Sequence, residues 1–137
     1  MANSTTLYKL PDGRQAVDVT EAKTLAITDQ GIVQVVKTDA ILVTLPATVV
    51  GYTFTVRNGG VKPTGSPTGA GTNKSVLVAI SPNSADLIAG GQITAADDKD
   101  LLNTKITSEV GDEVELVGNG TTGWNIVREK GTWVRET

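Results

Sequence analysis

The chain has 137 residues, with 12 Lys and Arg against 15 Asp and Glu, and it contains neither Cys nor His. A length of this order suits one domain, which buries roughly 70% of the surface its unfolded chain exposes and needs no staples. The missing residue types exclude a disulfide, a thiolate metal site, and the commonest general base and zinc nitrogen ligand.

The cations are scattered and never form a basic run, so no nucleic-acid partner is expected. No apolar run approaches the ~20 residues of a membrane span, so no membrane partner is expected either. The opening MANSTTLYKL has no basic n-region and no apolar h-region. No secretory signal is therefore expected, and folding in a cytoplasm is. The sequons at Asn3, Asn73 and Asn119 are accordingly expected to stay unmodified. β-branched residues with frequent Gly and Thr favour strands and turns, so the chain reads as all-β.

In chain order, residues 1–6 are small and polar and read as an arm. Two extended segments, 7–10 and 14–19, flank Pro11-Asp12-Gly13. Pro presets φ, Asp caps locally and Gly takes the left-handed position, which makes a turn. Residues 1–25 thus read as an extended N-terminal arm or hairpin, and 26–137 as a β-sandwich domain. Thr20 to Lys23 is the one short stretch with helix-forming composition. Residues 32–36 are apolar on both faces and predict a central strand.

Residues 41–60 are the hydrophobic centre, read as a strand pair joined by a short turn. Ile41, Val43 and Leu45 alternate with Leu42 and Thr44; Tyr52, Phe54 and Val56 alternate with Thr53, Thr55 and Arg57. Period two marks half-buried strands. Pro46 ends the first and Asn58-Gly59-Gly60 the second. Residues 59–73 hold five Gly and two Pro and predict a surface loop whose tip is a candidate for contact.

Further strands are predicted at 76–80, irregularly around Leu87, Ile88 and Ile93, and at 102–107. An acidic turn, 95–100, lies between the last two. Residues 113–117 alternate, with Val114 and Leu116 inward. Gly118-Asn119-Gly120 is a hairpin signal, and the chain returns at 124–128 with Trp124 and Ile126 inward. A final short strand covers 132–135. Eight to ten short strands between turn residues predict a β-sandwich or a jelly-roll-like barrel of short antiparallel strands.

No set of residues carries catalysis. Asp97, Asp98 and Asp100 lack the further oxygen ligands, the Gly and the bidentate Glu of a calcium loop. Glu113 and Glu115 share an outward strand face, whereas acid–base work needs a carboxyl raised by burial. Ser has no His partner, and the Gly-rich loop has no GK[ST] ending. The chain is therefore expected not to be an enzyme and to use no cofactor or metal. Trp124 reads as core. Trp133, bracketed by Arg128, Lys130 and Arg135, reads as a candidate interface anchor, because aromatic and Arg residues are enriched there.

Four blocks in order, TLPATVVGYTFTVRNGG, VAISPNSADLIAGG, VGDEVELVGNGTTGWNIV and GTWVRE, span about two thirds of the chain from first to last. Together they resemble a β-sandwich module of tailed-phage virion proteins, found in head decoration (cement) proteins and in the distal parts of head or tail fibres. The opening LYKLPDGRQAVDV is similar to that of small stand-alone phage capsid proteins. The resemblance implies a non-enzymatic virion structural protein, often a homotrimer. Such a protein is assembled in the host cytoplasm and binds across neighbouring major capsid protein subunits on the capsid surface. On this reading Tyr8, Leu10 and Arg14 are candidates for gripping the major capsid protein, and Trp133 and Arg135 for the subunit interface. The alternative is a fibre-tip module that uses the 59–73 loop against a host surface glycan.

Overall fold

A computed structural model describes residues 3–60, 76–91 and 93–137. Among the described residues, twelve strands, numbered in chain order, form two sheets. The first sheet runs, edge to edge, β1 (Tyr8–Lys9), β2 (Gln15–Val19), β4 (Val33–Val36), β6 (Thr53–Asn58), β10 (Glu113–Gly118), β11 (Gly123–Lys130) and β8 (Leu87–Ala89). The second runs β12 (Val134–Arg135), β9 (Leu101–Asn103), β7 (Val78–Ser81), β5 (Ile41–Thr44) and β3 (Lys23–Thr24). Ile27–Asp29 forms a single 3-10 turn. The all-β sandwich is present, and one core cluster draws on both sheets: Val19, Val36, Phe54, Val56, Val114, Leu116 and Trp124 from the first, Val43, Val78, Ile80 and Leu101 from the second.

The pairing within the sheets is mixed. β2, β4 and β6 run parallel to one another, and so do β3, β5 and β7. The chain crosses to the other sheet after each of these strands, and every second crossing brings it back in its starting direction. A strand of the opposite sheet thus serves as the crossover that a parallel pair requires. β10 and β11 form the expected antiparallel hairpin, and β6 adds to it antiparallel. The segment 41–60 is accordingly not a paired hairpin. β5 and β6 lie in opposite sheets and face each other across the core. Their alternation is as expected, with Ile41, Val43, Phe54 and Val56 buried and Tyr52 packed against the same cluster. Residues 102–107 are strand only at their start; Thr104 to Ser108 is a turn, closed by the Thr107 and Ser108 amides donating to Thr104 O.

The N-terminal segment is a hairpin built into the first sheet. Gly13 takes φ +91° and donates to Leu10 O at 2.8 Å, closing the Pro11-Asp12-Gly13 turn. Val19 at the end of β2, and Leu25 just after β3, belong to the main core. The Asn3 side chain accepts from the Thr20 and Glu21 amides at 2.8 and 3.1 Å, which ties the first residues down. β4 is central, as its sequence predicts, and all four of its residues are buried. Its outer face is covered by Leu10, which packs on Ala16, Val33 and Val35.

Two polar networks close the sandwich. In the first, Thr48 donates its amide to Asp86 (2.9 Å) and its hydroxyl to Gly123 O (2.5 Å). Asn119 Oδ1 accepts the amides of Thr121, Thr122 and Gly123 at 2.9–3.0 Å, which shapes the β10–β11 turn. In the second, Asn58 donates to Asn103 Oδ1 (2.7 Å), and Asn103 donates to Asp112 Oδ2 and Thr132 O, both at 3.0 Å. These three side chains are buried, with Asn58 and Asn103 fully enclosed. Buried polar groups persist where they are satisfied in this way.

Candidate functional site

Three of the five sequence-predicted residues meet at the N-terminal hairpin. Arg14 forms a two-pronged ion pair with Glu113, Nη1 to Oε2 at 2.8 Å and Nη2 to Oε1 at 2.9 Å, while its Nε reaches Asp12 at 2.8 Å. Arg57 approaches the same carboxylate at 3.5 Å. The paired acids hold the Arg14 guanidinium even further above its ordinary value. Tyr8 Oη donates to Asp18 at 2.6 Å. Burial, and next that bond to a carboxylate, push the Tyr8 phenol up to about 12. Leu10 is half-buried on the small outer cluster.

The fork geometry of Arg14–Glu113 is the strong kind of surface pair. Glu113 is mostly covered and Arg14 about a third exposed. Replacing Arg14 by Gln is expected to cost about 1–2 kcal/mol, less in high salt. Urea unfolding at low and high ionic strength checks this, and a loss that is the same at both ionic strengths would contradict the ion-pair origin.

The other two residues lie beside a cleft of about 380 Å³ lined by Ile93, Thr94, Glu129 and residues 131–135. Arg135 is partly exposed and donates to Thr94 O at 3.1 Å and Glu136 O at 3.2 Å. Trp133 departs from its expected role. Its indole is 2% exposed in the single chain, belongs to the main core, and donates from Nε1 to Lys130 O at 2.9 Å. The cationic neighbours suggested an interface anchor, but β12 pairs with β9 and turns the ring inward. Trp124 is fully buried as predicted, its ring centroid 5.4 Å from that of Phe54.

Glu113 and Glu129, which sequence reasoning left out of the site, belong one to each group: Glu113 holds Arg14, and Glu129 lines the cleft. A smaller hollow between them is lined by Glu113, Arg128, Glu129 and Lys130. Simple alternation from Trp124 would turn Glu129 outward. A bulge in β11 shifts the register, so that Ile126 pairs with Leu116 but Arg128 with Glu115. Glu129 then sits opposite the buried Val114, on the core-side face. Its Oε1 is buried without a hydrogen-bond partner, and burial raises its carboxyl above the ordinary value.

That shift has a sign. Between the ordinary and the raised value the folded chain keeps a proton that the unfolded chain has lost, so stability falls as pH rises through that window. Glu129→Gln, which removes the titration, is expected to melt above the native chain at pH 7, with the advantage vanishing as pH falls below the ordinary carboxyl range. Melting curves of both proteins against pH check this, and a difference that does not vary with pH would contradict it.

The loop prediction at 59–73 falls, apart from Gly59 and Gly60, outside the described residues. The two described sequon residues, Asn3 and Asn119, both use their side chains in internal hydrogen bonds. Compared with known proteins, the chain matches no protein-family model and no curated protein.

Proposed function

We propose that the chain is a structural protein of a tailed-phage virion that decorates the capsid. In this reading it acts as a homotrimer bound across neighbouring major capsid protein subunits, and its work is contact, not catalysis. The observation that carries the reading is how the four blocks behind the resemblance interlock. Thr48 of the first block bonds Asp86 of the second and Gly123 of the third. Asp112 at the start of the third lies against Gly131 of the fourth, and Asn103 bonds both Asp112 and Thr132. The blocks work as one framework, which supports reading the likeness as that of a whole module.

The hairpin cluster and the cleft supply two contact regions, in which Tyr8 and Arg14, and Arg135, are the accessible candidates. Contacts that are individually weak add through effective concentration when three copies engage several subunits at once. Shells incubated with the protein are expected to release their genome at a higher temperature than bare shells. An unchanged release temperature at saturating protein would contradict decoration as a stabilising role.

A further inference from the structure

The bulge in β11 places Glu129 where a carboxylate is costly. Oε1 has no donor, and among the described residues no cation pairs with this side chain. The neighbouring cations point elsewhere. Arg128 turns to Glu115 at 3.3 Å, Arg135 is held by the Thr94 and Glu136 carbonyls, and Lys130 Nζ lies beside Gly111. The carboxylate instead borders the 380 Å³ cleft, whose other walls include Ile93, Trp133 and Val134. Thr94, Gly131, Thr132 and Arg135 complete the lining, and the Arg135 guanidinium is already taken by two carbonyls. A partly apolar cleft with one unpaired acid suits a long side chain with an aliphatic stem and a cationic head. The volume is at the low end of small-molecule sites and ample for one such side chain.

We propose that this cleft is a binding site for a lysine or arginine side chain presented by a partner protein, with Glu129 as its counter-ion. The stem lies along Ile93 and Val134, and the head pairs with the Glu129 carboxylate, whose Oε1 is enclosed against Gly91 in the free chain. A half-buried carboxylate with one enclosed, unpaired oxygen costs the free chain stability; pairing the group on docking turns that cost into specificity for a cation at one position. That the partner is a capsid subunit rests on the decoration reading; the cation site itself does not.

Two short peptides test the site, acetyl-Gly-Lys-Gly-amide and its norleucine counterpart, titrated into the whole chain and followed by NMR. The lysine peptide is expected to shift Ile93, Val134 and the Trp133 indole N–H saturably, and the norleucine peptide to leave them in place. Glu129→Gln, close in shape to the native residue, is expected to weaken the lysine peptide about tenfold or more. Equal responses to the two peptides, or undiminished lysine binding by Glu129→Gln, would overturn the proposal. On shells, Glu129→Gln is expected to lower occupancy by a similar factor, and full occupancy by this variant would overturn the site's part in docking. Lysine binding by a native chain that ignores shells supports the site and counts against decoration alone.

Discussion

Asn103→Ala is expected to cost about 3–4 kcal/mol, a large share of the roughly 5–15 kcal/mol that holds a domain together. Asn103 is fully buried, accepts from Asn58 and donates to Asp112 and Thr132 O. Truncation strips a donor from a carboxylate that is 3% exposed and one from the Thr132 carbonyl, and it takes the acceptor from the buried Asn58 amide. It also uncouples the sheets, since Asn58 ends β6 in one and Asn103 ends β9 in the other. Urea unfolding of the isolated chain measures the loss, and a value below about 1 kcal/mol would contradict the network's role. Asn103→Asp sharpens the test. It sets a second carboxylate against Asp112, so like charges oppose folding at neutral pH and relief follows acidification. Its deficit is expected to shrink as pH falls toward the ordinary carboxyl range.

The second large effect is at Trp133. Trp133→Ala is expected to destabilise the single chain by about 3–5 kcal/mol, through lost burial and the cavity left behind. Trp133→Phe, which keeps most of the volume but abandons the bond to Lys130 O, is expected to cost less than half as much. An interface anchor behaves differently: truncation would spare the folded chain and dissociate the oligomer. Thermal unfolding beside the native mass of Trp133→Ala separates the two. A variant that melts like the native chain but loses its partners would restore the interface role.

Strand faces were legible because side-chain direction repeats every two residues. β6 and β10 alternate between half-buried and buried throughout, as their sequences predict. The 11–13 and 118–120 turns were legible from Gly, Asp and Asn. Strand partners were not legible. Alternation tells which way Ile41 and Phe54 point, but not that their strands sit in opposite sheets, because that depends on where a chain lands after crossing the core. Asn58 reads as a turn residue at the end of a strand, and nothing local marks it as a node for a residue 45 positions on. The site suffered most from the β11 bulge. One inserted residue reverses every face after it, which hid Glu129 among surface charges. Trp133 was misplaced because its cationic neighbours in sequence belong to other elements: Arg128 and Lys130 end β11 and Arg135 ends β12, while the Trp133 ring, in the link between them, is buried in the core.

The central claim is that this sandwich works by holding several copies of itself against a shell. The native mass of the protein in solution, measured with and without purified undecorated capsids, tests it most directly. The account predicts a trimer in solution that moves saturably into the capsid fraction. A monomer that stays in solution at every capsid concentration would contradict it.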